Sequence, residues 1–170
     1  MSSIFHVDRI TNDNKSARIA IAALSIIPLG LIFGAGGIWR TSSESGSTVV
    51  GRPPSWVFAT TWAVIALCFI FITIVACFHS SVAYAAVLLT LSIALGLFAA
   101  SWLYVYNQQA NKSRAAQVLA ATALVALVFW STTLTASVDV DAARSAMAIP
   151  GTLVVFWTAL ATVLNYLEIQ

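Results

Sequence analysis

The sequence predicts an all-α membrane protein, a bundle of five transmembrane helices. Three observations carry this. The 170 residues are 60% hydrophobic and only 8% charged, against about 25% charged in a soluble domain, so the chain cannot cover a water-facing surface of ordinary polarity. The charges are also confined: none falls between Arg18 and Arg40, Arg52 and Lys112, Arg114 and Asp139, or Arg144 and Glu168. Finally, these uncharged runs lack the alternating polarity of a transmembrane β-barrel. Backbone groups in lipid must bond within their own segment, which selects helices.

The elements follow from the charge-free runs, since a span needs about 20 apolar residues. A polar head, residues 1–16, precedes a first span at about 17–39. The longest connection comes next, residues 40–55, "RTSSESGSTVVGRPPS". Its Ser, Gly and Thr make it flexible, and Pro53-Pro54 end it, Pro54 fitting the first helical turn where its missing N–H costs nothing. The run from Arg52 to Lys112 holds two spans, about 56–78 and 82–106, parted by a turn at "FHSS". The fourth span, about 115–137, follows the short basic "NQQANKSR", and the fifth, about 147–168, follows "SVDVDAARS". Pro150-Gly151 should start or kink the fifth helix.

Several function classes are excluded or disfavoured. A net charge of +2, scattered along the chain, does not suggest nucleic acid as a partner. Cys68 and Cys77 are nine residues apart on one span, which at about 100° per residue puts them on opposite faces, so no disulfide joins them. No metal-ligand spacing exists and no metal is expected. His6 and His79 lie outside the spans, and no nucleophile–base constellation is present, so a conventional enzyme is not expected. The first apolar run is long for a signal peptide, and Asp8 and Asp13 do not suit a mitochondrial presequence. The sequons at Asn14 and Asn111 fall on opposite membrane sides. Arg9, Lys15, Arg18 and Arg144 on one side balance Arg40, Arg52, Lys112 and Arg114 on the other. The positive-inside rule therefore gives neither orientation nor membrane.

Small residues mark close helix contacts. Gly30 and Gly34 form a GxxxG in the first span; Ser92, Gly96 and Ala100 form a ladder in the third. Each suits packing inside the bundle or a homodimer.

The six tryptophans divide by depth. The interfacial aromatic belt accounts for Trp39 and Trp56 at span ends and for Trp102 late in the third span. Trp62 lies about 9 Å inside the second span, Trp130 is deep in the fourth and Trp157 near the middle of the fifth; the belt explains none of these. Phe58, Trp62, Ile65 and Phe69 form one helix stripe. Leu153, Trp157, Ala161 and Asn165 form another, turned inward because lipid offers Asn165 no partner. Two inward aromatic stripes with a small residue between them can fill a core or line a pocket for a flat apolar ligand.

"PPSWVFATTW", Pro53 to Trp62, and "WTALATVLNY", Trp157 to Tyr166, carry a resemblance. They resemble the P-P-x-W-V-F-x-x-x-W and W-x-x-F-A-T-x-L-N-Y signatures of the translocator protein family, also called the tryptophan-rich sensory protein or peripheral benzodiazepine receptor family. Leu160 stands where Phe is usual. Both segments fall on the spans that the family requires, and the resemblance covers about residues 17–167.

The resemblance implies a five-helix bundle, often dimeric, whose cavity is capped by the first loop and binds porphyrins, sterols or synthetic aromatic molecules. The implied ligand-binding positions are Trp39, Trp56, Phe58, Trp62, Trp102, Trp157, Ala161 and Asn165. Bound porphyrin or another tetrapyrrole is implied as ligand, with no cofactor required. Trp62 and Trp157 match the tryptophans associated with light-dependent porphyrin degradation in some members. The chain departs from the pattern at Arg40, Ala66, Ala99 and Leu153-Val154. Leu167 and Glu168 stand where a cholesterol-recognition pattern wants a basic residue after Tyr166. Three functions are therefore expected in competition: a receptor, sensor or transporter for flat hydrophobic ligands, a light-driven porphyrin-degrading enzyme, and a scaffold with a filled cavity.

Overall fold

A computed structural model describes residues 12–38, 55–135, 138 and 141–170. The described residues form six helices, α1 (Asn12–Leu24), α2 (Ile27–Ile38), α3 (Ser55–His79), α4 (Val82–Asn107), α5 (Lys112–Leu134) and α6 (Asp141–Leu167). Five stretches are long and apolar enough to cross a membrane: Asn14–Ile38, Trp56–His79, Val82–Asn107, Lys112–Leu134 and Asp141–Leu167. The chain is thus an all-α bundle with the character of a multi-pass integral membrane protein. Trp39 and the first loop up to Pro54 lie outside the described residues.

Local chemistry sets the helix ends. Ser81 caps α4, its hydroxyl accepting from the Tyr84 N–H at 3.1 Å, and Asn111 caps α5 through the Arg114 N–H at 2.9 Å. Each satisfies a donor that a first helical turn leaves open. The turn foreseen at "FHSS" lies between α3 and α4. The last span starts earlier than foreseen, at Asp141, whose carboxylate suits the positive end of the helix and pairs with Arg144 at 3.6 Å.

The first span differs more. Its helix begins inside the polar head and breaks at Ser25-Ile26. Pro28 lacks the N–H that would bond the carbonyl four residues back, so continuous helix is lost there. The Ser25 hydroxyl donates to the Ala22 carbonyl at 2.6 Å and helps to close the turn. Pro28 itself sits in the first turn of α2, where a missing donor is harmless.

α3, α4, α5 and α6 pack as a closed ring, each against the next and α6 back onto α3, while α2 covers α4 and α3 from outside. Two glycines set the closest approaches. A Cβ at Gly96 would stand 3.1 Å from Pro28 Cα and 3.2 Å from Leu31 Cδ1. Gly96 is therefore packed beneath α2, and Ser92 and Ala100 of the same ladder are buried within the chain too. Gly30 and Gly34, where an added Cβ would meet nothing within 4 Å, are left as the open small-residue face. A Cβ at Gly151 would meet Trp130 Cδ1 at 3.1 Å, and Trp130 Nε1 donates to Thr152 Oγ1 at 3.0 Å. That accounts for Trp130 at its depth: it seats α5 on α6.

Gly96→Val is expected to cost about 1–3 kcal/mol by overpacking, because the atom it meets is backbone. Gly34→Val should change stability by less than about 0.5 kcal/mol. Thermal unfolding of both variants in mild detergent separates them.

The charge at Arg18 is not where the sequence suggested. It reads as a flanking residue of the first span, but its side chain is buried and donates to the carbonyls of Cys77 and Ser80, the latter at 3.0 Å. The Cys77 thiol in turn donates to the Arg18 carbonyl at 3.7 Å. The cation thus closes the C-terminal end of α3, where exposed carbonyls carry partial negative charge. Both cysteines are free.

Candidate functional site

α3 runs away from the first loop and α4 and α6 run back towards it, so the start of α3 and the ends of α4 and α6 share one end of the ring. Phe58, Trp62, Trp102, Trp157, Ala161 and Asn165 are all buried there. The stripe Phe58–Trp62–Ile65–Phe69 faces inward along its whole length. In the α6 stripe Trp157, Ala161 and Asn165 face inward, whereas Leu153 is exposed.

Trp56 does not join this cluster. It is 67% exposed, against 6% for Trp62. Two residues before Phe58, it is turned by about 200° onto the opposite helix face. Its position suits an interfacial anchor. Trp39 lies outside the described residues.

The ring contacts pair the two stripes with different neighbours. Phe58 meets Trp157 edge-on, centroids 5.1 Å apart, and Trp62 leans on Trp102 at 6.4 Å. The reason is that α3 sits between α4 and α6. Residues four apart are offset by about 40° around a helix, so Phe58 is turned to α6 and Trp62 to α4. Trp102 continues to Tyr106 at 5.6 Å.

Hydrogen bonding divides the indoles. Trp102 Nε1 donates to Asn165 Oδ1 at 3.2 Å, and Asn165 Nδ2 donates to the Ala161 carbonyl at 2.9 Å. This is the internal partner that an intramembrane Asn needs. Trp62 Nε1 and Trp157 Nε1 are buried and have no acceptor among the described residues. A buried donor left unmade costs about 1–3 kcal/mol, and native structures keep few of them. Trp62 and Trp157, both too deep for the interfacial belt, thus carry two such donors.

One contact at this end was not foreseen from the sequence. Tyr106 Oη donates to Glu168 Oε2 at 2.7 Å, joining α4 to the residue that follows α6. The available signal was a Tyr and a Glu at the ends of spans that must return to the same side. No group of three or more His, Cys, Asp or Glu placed to hold a metal occurs among the described residues. Elsewhere, an open apolar groove runs along the break in the first span, lined by Ile26, Ile27, Leu29, Gly30 and Phe33. The chain matches no protein-family model and no curated protein sequence.

Proposed function

We propose that this chain is a ligand-binding membrane protein of the translocator protein and tryptophan-rich sensory protein kind. It would take a flat, mostly apolar molecule with hydrogen-bond acceptors, a porphyrin or other tetrapyrrole before a sterol or lipid, at the aromatic end of the ring. The observation that carries this reading is the pair of buried indole donors on Trp62 and Trp157 that have no acceptor among the described residues, set among Phe58, Trp102 and Ala161. The aromatic rings supply stacking area, and the two N–H groups supply orientation. The motif positions around Trp62 and Trp157 support the same reading. A sensory, stress-regulatory or transport role is the kind that reversible ligand binding in a membrane serves. A homodimer would use Gly30 and Gly34, the open small-residue face.

Titration with protoporphyrin tests this. Tryptophan fluorescence should fall saturably, and haem or a bilin should compete. An unsaturable or absent response to all three would remove the reading. Illuminating the complex tests the enzyme alternative, in which Trp62 and Trp157 assist porphyrin oxidation by oxygen: a stable porphyrin absorption spectrum would sink it. The scaffold alternative draws on the contacts of Phe58 with Trp157 and of Trp62 with Trp102, which fill space between the helices. It expects no saturable ligand and a melting temperature indifferent to porphyrin.

A further inference from the structure

In the ring, α4 and α6 stand opposite each other, with α3 on one side and α5 on the other. At the aromatic end, two side-chain pairs cross that diagonal: Trp102 Nε1 to Asn165 Oδ1 at 3.2 Å, and Tyr106 Oη to Glu168 Oε2 at 2.7 Å. The rungs lie about one helical turn apart, and the Trp102–Tyr106 ring contact ties them together. Both stand nearer the ends of α4 and α6 than the indoles of Trp62 and Trp157 do. The outer rung is charge-assisted and only partly buried, and Glu168 follows the last helical residue, Leu167.

We propose that these two rungs form a latch across the ring, and that parting α4 from α6 opens the way to Trp62 and Trp157. That the opening admits a ligand rests on the function proposed above; the latch itself rests on the two cross-ring bonds. Each hydrogen bond favours the closed state. Losing the outer one should raise the open population by on the order of tenfold, and a ligand that binds only the open state should then associate faster by the same factor.

The test uses a buried reporter. Ala161→Cys, in a Cys68→Ala/Cys77→Ala background, places a thiol one turn below Asn165. Its reaction with N-ethylmaleimide follows the open population when closing is faster than labelling. Tyr106→Phe keeps the ring and loses only the hydroxyl. It should speed labelling by on the order of tenfold, while Glu168→Gln, which keeps an acceptor oxygen, should speed it less. Glu168→Ala removes the same bond together with every other Glu168 contact, so it should speed labelling at least as much as Tyr106→Phe, and adding Tyr106→Phe to it should change little further. Labelling at the parent rate in Tyr106→Phe overturns the latch.

Protoporphyrin association, followed by stopped-flow tryptophan quenching, keeps the two proposals apart. Faster labelling with no porphyrin response in any variant supports the latch and removes the ligand reading. Saturable porphyrin binding with labelling and association both unchanged does the reverse.

Discussion

Arg18→Met is expected to destabilise the protein by about 3 kcal/mol, the largest single effect on stability foreseen from the structure. Methionine keeps much of the apolar stem but removes every donor. The carbonyls of Cys77 and Ser80 lose the guanidinium that now satisfies them. In water such carbonyls would be solvated at little cost. Here they lie against α1, and Ser80 and Cys77 are buried. Hydrogen bonds to a charged donor are worth about 1.5–3 kcal/mol each, and the helix C-terminus adds attraction for a cation. Arg18→Lys should recover part of the loss, since an ammonium donates but cannot reproduce the planar fork. Unfolding in mixed micelles with increasing SDS measures the series. A midpoint for Arg18→Met equal to that of the parent would show that the bonds contribute nothing to stability.

The second large effect concerns binding. Trp62→Phe and Trp157→Phe should each weaken protoporphyrin binding about tenfold, and the double variant by on the order of a hundredfold, each lost hydrogen bond being worth about 1.4 kcal/mol. Phenylalanine retains most of the stacking surface, so the loss isolates the N–H. The unliganded protein should be affected differently. Each substitution removes a buried donor that has no acceptor among the described residues, which offsets part of the packing lost with the larger ring. Reduced affinity without a matching loss of melting temperature is therefore the expected signature. Trp56→Phe, on the exposed face of α3, should leave affinity unchanged. Equal losses of affinity and stability would instead mark Trp62 and Trp157 as packing residues.

What the sequence made legible tracks how local the cause is. Charge-free runs of sufficient length located all five spans, and the polar "FHSS" turn marked the junction of α3 and α4, because lipid imposes those constraints segment by segment. Depth along a helix singled out Trp62, Trp130 and Trp157, and the lack of any lipid partner turned Asn165 inward. The break in the first span was also written locally, in Pro28, yet a run of apolar residues around it masked the signal. Arg18 could not be read from its neighbours. Its partners are carbonyls some sixty positions away, and near a span end a charge that snorkels to water looks the same as one that caps another helix. The pairing of aromatic rings was hidden for a similar reason. Stripes say which residues face inward, but only the order of helices around the ring says that Phe58 meets Trp157 while Trp62 meets Trp102. The Tyr106–Glu168 bond likewise joins residues that share nothing in sequence except the same end of the bundle.

If Trp62 and Trp157 hold buried donors for a ligand's acceptors, their indole N–H groups must respond to that ligand. Protein labelled with ¹⁵N-tryptophan, in detergent micelles, reports this through its indole N–H resonances, assigned by single Trp→Phe variants. On saturation with protoporphyrin, the Trp62 and Trp157 resonances should move downfield as their hydrogen bonds form, and their solvent exchange should stay slow. Trp56, exposed, and Trp130, bonded to Thr152, should move little. Resonances of Trp62 and Trp157 that keep their positions while others shift, or that all stay fixed at saturating porphyrin, would rule out these two indoles as the ligand's donors.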